Sequence, residues 1–128
     1  MSADTPDRSD RYARGEQMYR AVYGRDDVPA RGSSRYIDSM MEQLFGEVWS
    51  GEALAIRDRR LLVMGVLAAQ GCMDRVDMQL RRAYALGELD AEQIDEAVLH
   101  LAHYVGWAMA SPLATTAAEL RADEQTAQ

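Results

Sequence analysis

The sequence predicts an all-α protein, a single-domain bundle of five to six helices. Three observations predict it. Leu61–Ala69, LLVMGVLAA, is a run of nine apolar residues led in by Arg57-Asp58-Arg59-Arg60 and stopped by Gln70-Gly71. Leu, Met and Ala are strong helix formers, and the charged lead-in carries the segment past the length of a strand. Elsewhere, apolar residues recur at spacings of three and four, with capping residues or glycines at the boundaries. No stretch shows the strict apolar–polar alternation of a half-buried strand.

Taken in order, Met1–Asp10 is polar and expected to be disordered. A first helix over Arg11–Tyr23 has Tyr12, Tyr19, Val22 and Tyr23 on its apolar side, with Gly15 as a weak point. GRDDVPARG, residues 24–32, reads as a loop. Ser33 or Ser34 can cap a second helix over Arg35–Phe45, and Gly46 marks its end. Glu47–Leu54 connects it to the apolar helix, with Trp49 turned inward. A helix apolar on every side should be buried on every side, so Leu61–Ala69 is expected at the bundle centre. It is too short for a bilayer, which needs ~20 apolar residues. A fourth helix, Met73–Leu86, follows a short link at Gly71 and ends at Gly87. Asp90-Ala91-Glu92-Gln93 has the form of a capping box and opens a fifth helix, with Ile94, Val98, Leu101, Val105 and Ala108 as its core stripe. Ser111-Pro112 opens a last helix with proline at its first position, and the chain ends in a polar tail over 122–128. The domain is thus expected over residues 11–121.

Composition narrows the function. A chain of 128 residues with 48% hydrophobic content can bury a substantial core. A net charge of −7 argues against nucleic acid, whose phosphates require a basic face. All fourteen basic residues are arginine, which removes lysine Schiff-base chemistry and suits carboxylate recognition. A single cysteine, Cys72, and two histidines, His100 and His103, speak against an internal disulfide and a protein-only zinc site, so no metal or other cofactor is expected. The start of the chain lacks the apolar segment of a signal peptide, and a cytoplasmic location with no membrane partner is expected.

Two constellations could carry chemistry. Cys72, Arg75 and Gln79, spaced i, i+3, i+7, share one face of the fourth helix. His100, His103, Tyr104 and Trp107 lie together on the fifth helix, roughly opposite its core stripe, where an exposed helix would carry Glu or Gln. That face is expected to meet a second boundary, either a pocket or a subunit interface. Cys72 also reads as a small buried hydrophobe, and Arg57, Arg59 and Arg60 as a solvated helix start unless one of them turns inward to hold a carboxylate.

From about Leu44 to Gly106 the chain resembles the carboxymuconolactone decarboxylase family. The resemblance is carried by Phe45-Gly46-Glu47-Val48-Trp49, by Leu54-Ala55-Ile56-Arg57-Asp58-Arg59 and the apolar helix, by Leu80-Arg81-Arg82-Ala83-Tyr84-Ala85-Leu86-Gly87, and by the helix from Glu92 through His100-Leu101-Ala102-His103-Tyr104-Val105-Gly106-Trp107. It implies an alkylhydroperoxidase-like helical subunit that assembles into homo-trimers or hexamers. It also implies a cofactor-independent lyase acting on a small cyclic or unsaturated carboxylic acid. Thiol reductases of the same superfamily carry Cys-x-x-Cys-x-x-x-His. Here Cys72 matches the first cysteine, Arg75 replaces the second and Gln79 replaces the histidine, so dithiol peroxide chemistry is not expected. Gln79 also stands where the decarboxylases have a histidine, and an amide cannot shuttle protons. The resemblance then suggests Arg59 for the substrate carboxylate, Gln79 for the enolate oxygen, and His103 or Glu47 as the acid, with Cys72, Tyr104 and Trp49 beside the substrate. The alternatives are an isomerase or cyclase in the same pocket, or a catalytically silent ligand-binding oligomer.

Overall fold

The computed structural model describes residues 7–127, and among these it has six α-helices, one π-helical segment and no strand. The chain divides into two compact units, Met1–Ile56 and Arg57–Gln128, where the sequence suggests one domain.

The first unit holds α1 (Arg8–Tyr23), α2 (Arg35–Ser39) and a π-helical segment, Met40–Val48. The expected disorder of Met1–Asp10 falls partly outside the described residues, but Arg8, Ser9 and Asp10 are helical. Asp10 in the first turn complements the positive end of the helix dipole. Gly24, at φ 65°, closes α1 in the left-handed conformation and donates its N–H to the Arg20 carbonyl. Ser34 is the cap of α2, its hydroxyl accepting from the Ile37 N–H at 3.1 Å.

The second helix does not stop at Gly46. It widens into π geometry, with the Trp49 N–H reaching the Leu44 carbonyl at 2.8 Å. The glycines here serve contact between backbones rather than termination. A Cβ on Gly15 would lie 1.9 Å from the Met41 carbonyl oxygen, and one on Gly46 would lie 2.6 Å from that of Arg11. Gly15 is therefore the closest point of the α1 crossing, not its weak point. Around that crossing Tyr19, Tyr23, Phe45 and Trp49 form a ring cluster, with centroids 4.7–6.2 Å apart between neighbours.

The second unit holds α3 (Ile56–Ala69, whose first residue ends the first unit), α4 (Met73–Ala85), α5 (Ala91–Val105) and α6 (Trp107–Thr126). Its core joins Met64 and Ala68 of α3, Val76, Leu80 and Ala83 of α4, Ile94 and Val98 of α5, and Leu113, Ala117 and Leu120 of α6. The capping box at α5 forms in both directions, with the Asp90 side chain accepting from the Gln93 N–H at 2.8 Å and the Gln93 side chain from the Asp90 N–H at 2.9 Å.

Two expectations are corrected here. First, α3 is not buried on every side: Leu62 is 62% and Val66 57% exposed within the chain. Second, α6 starts at Trp107, not at Ser111-Pro112. Gly106, at φ 99°, breaks the path from α5, and Pro112 lies inside the new helix. Pro112 removes only the N–H that would have met the Ala108 carbonyl. Ala108 accordingly belongs to α6 and is exposed, not part of the α5 stripe. The helix also runs through most of the expected polar tail, to Thr126. Among the described residues no helix is long and apolar enough to cross a membrane.

Candidate functional site

Helices α3, α4 and α5 line an open cleft of about 480 Å³, within the size range of small-molecule sites. Its walls are apolar, from Leu61 and Met64 of α3, Leu80 of α4, Leu89 and Leu101. Its polar groups are Arg57 on α3 and Gln93, Glu96 and His100 on α5. The placement follows from helical period. Arg57, Leu61 and Met64 are spaced i, i+4, i+7, and Gln93, Ala97 and His100 repeat that spacing with Glu96 between them. The Gln93 carbonyl oxygen is used by the capping box, so its NH₂ is the end left to donate. Arg57 supplies the guanidinium of the cleft, and it, Gln93, Glu96 and His100 are all exposed along the cleft's open side.

Beside these elements lies a buried ionic network. Arg60 is 1% exposed. Its Nε and Nη2 donate to the two oxygens of Glu88 at 2.6 and 3.0 Å, and its Nη1 donates to Gln79 Oε1 at 2.6 Å. This is bidentate arginine–carboxylate geometry with a third bond to an amide. The arginine that turns inward is thus Arg60. Arg59, the sequence's choice for a substrate carboxylate, is half-buried and is not among the residues lining the cleft.

The other predicted residues are spread across different settings. Gln79 is buried at 3%, and its carbonyl oxygen is taken up by Arg60. His103 is exposed, with Nδ1 2.9 Å from the Leu99 carbonyl of its own helix and its ring edge-on to Trp107 at 5.4 Å. Tyr104, 80% exposed, lies 5.2 Å from the His100 ring. Cys72 is half-buried before the first residue of α4, with no closer sulfur contact described than the Gln70 carbonyl at 4.0 Å. Glu47 and Trp49 belong to the first unit. Glu47 is exposed and accepts from Arg11 Nη1 at 2.8 Å, a hydrogen bond that raises the Arg11 pKa. Trp49 is buried and stacks on Phe45. Gln79 and His103 therefore face different surroundings, and neither lines the cleft. Of the cleft's polar residues, the sequence reading weighed Arg57 as a carboxylate holder and His100 as part of a pocket or interface face, and did not single out Gln93 or Glu96. Their shared helix faces were the available signal. Among the described residues, no group of three or more His, Cys, Asp or Glu side chains is placed to hold a metal ion.

The chain is all-helical, and its cleft carries one guanidinium and one imidazole. The match to known families is more specific. The family model of the carboxymuconolactone decarboxylase family covers residues 36–120, and the chain belongs to that family, with its alkylhydroperoxidase-like helical fold. Comparison with curated proteins and with solved structures gave no match.

Proposed function

We propose that this chain is a cofactor-independent lyase of the carboxymuconolactone decarboxylase type, working on a small cyclic or unsaturated carboxylic acid. The observation that carries the reading is the cleft of about 480 Å³, with Arg57, Gln93, Glu96 and His100 set in leucine and methionine walls. The walls take up the hydrocarbon body of the substrate. Arg57 holds a carboxylate with two parallel N–H donors. The Gln93 NH₂ is available to an enolate oxygen as charge moves onto it. Glu96 carries a negative charge in the same cleft, which favours substrates with few anionic groups. A cytoplasmic setting agrees with the single free Cys72.

Incubation with γ-carboxymuconolactone tests this, followed by ultraviolet absorbance and by release of CO₂. Arg57→Gln should raise KM roughly 10- to 100-fold, the equivalent of one charged hydrogen-bonded contact. No CO₂ release from this lactone or from a panel of unsaturated acids, with no binding of them, would sink the reading.

A specific observation favours self-assembly as part of the function. Leu62 and Val66 on α3, and Leu99, Tyr104, Trp107 and Met109 around the α5–α6 junction, are each at least 42% exposed. Large apolar side chains in this number support a homo-oligomer, as a trimer or hexamer, that covers them. Sedimentation of the wild type and of Val66→Glu checks it. A wild-type monomer at micromolar concentration would refute it.

A further inference from the structure

We propose that His100 is the catalytic proton donor of this chain, set one turn after Glu96 on α5 and lining the same cleft as Arg57. The inference rests on the cleft being the substrate site and adds the group that completes its reaction. Three observations point to it. Gln79 is closed to proton chemistry twice over. An amide does not act as an acid or base near neutral pH, and Arg60 holds its oxygen at 2.6 Å in a buried network. His103 stands outside the cleft, against its own helix carbonyl and Trp107. His100, exposed on α5, is the imidazole among the cleft's lining residues, beside Glu96 and Gln93 of the same helix and with Arg57 contributed by α3, while Tyr104 lies 5.2 Å from its ring.

The chemistry closes. Decarboxylation breaks the bond between the substrate carbon and its carboxylate. CO₂ leaves, and the electron pair passes into the conjugated carbonyl as an enolate. The His100 imidazolium gives its proton to carbon as the enolate reverts to the carbonyl, and the neutral imidazole recovers a proton from water. Glu96 lines the same cleft one turn before His100, and the Arg57 charge is met by the bound carboxylate.

The test uses the full-length protein in two measurements. The first is nuclear magnetic resonance of the histidine rings and backbone during titration with benzoate, a carboxylate with an unreactive apolar body. The His100 ring should shift on binding, and Arg57→Gln should abolish the response. The second is the pH–rate profile with γ-carboxymuconolactone. His100→Gln should lower kcat at least ~100-fold and remove one limb of the profile, with helix content unchanged by circular dichroism. If benzoate moves the α3 and α5 backbone signals but leaves the His100 ring unmoved, the assignment of His100 is overturned while the cleft reading stands. Loss of the limb on His103→Gln but not on His100→Gln overturns it equally. If no cleft signal responds to benzoate, the site reading falls and His100 falls with it.

Discussion

Replacing Arg60 with methionine probes the buried network directly. The guanidinium is 1% exposed and makes three hydrogen bonds. Methionine fills similar length without charge, so the loss is electrostatic rather than a cavity. Two groups are left behind. Glu88, with its side chain 16% exposed, keeps its charge but loses both donors, and the buried Gln79 oxygen loses the one donor described for it. Removing one partner of a buried pair costs about 3–5 kcal/mol, and an orphaned neutral acceptor about 1–3. Glu88 can take some water through its exposed edge, which places the expected loss near the low end, about 3–4 kcal/mol. Urea unfolding followed by circular dichroism measures it, and the melting temperature should fall by roughly 10 °C. The double variant Arg60→Met/Glu88→Leu removes the stranded charge and should recover about 1–2 kcal/mol of that loss. A cost below about 1 kcal/mol for Arg60→Met, or further destabilisation when Glu88→Leu is added, would refute the reasoning.

Other predictions follow from single positions. Gly15→Ala should destabilise by more than about 2 kcal/mol in thermal unfolding, because the new Cβ meets the Met41 backbone oxygen and not a side chain that can move. Gly65→Ala, within α3 and with nothing near the new Cβ, should instead stabilise by about 0.5–1 kcal/mol in the same assay. Asp77 gives a pH prediction. Burial pushes its carboxyl up, but hydrogen bonds from Thr116 and Arg81 outweigh this and hold it below the usual carboxylate range. A carboxyl with a depressed folded pKa adds stability above its unfolded value of ~3.9 and loses it as pH falls through the folded one. Thr116→Val should therefore cost about 0.5–1.5 kcal/mol at neutral pH and progressively less in acid, read from urea midpoints at each pH. An equal cost at neutral and acid pH would show that the Thr116 hydroxyl does not act through the Asp77 charge.

Elements with one-sided patterns were the most legible. Asp90 and Gln93 identify the start of α5 because their two side chains can satisfy each other's backbone, and they do. Met73–Ala85 and Ala91–Val105 bury the faces that their spacing marks. The start of α6 was misplaced because two start signals compete within six residues. Gly106 leaves the right-handed region altogether, while Pro112 only forgoes one bond, so the glycine decides. The π-helical widening at Met40–Val48 has no local signature. It arises where Gly15 and Gly46 let two backbones meet, a contact between residues thirty-one apart.

The site was less legible for a reason that begins in α3. Its apolar residues surround the helix, so no stripe tells which way it is turned. Neighbouring residues on a helix differ by ~100°, so that turn alone decides whether Arg57, Arg59 or Arg60 points inward. Packing against α4 and α5 settles it, through Met64 and Ala68. Arg60 then falls beside Glu88 and Gln79, Arg57 falls on the cleft, and Arg59 on neither. The same rotation leaves Leu62 and Val66 facing outward, which a buried central rod would not do in a chain acting alone. Once Arg60 occupies the Gln79 oxygen, that position works as part of a structural lock. Under the proposed lyase reading the acid then has to be sought among the cleft's own lining residues, which include His100.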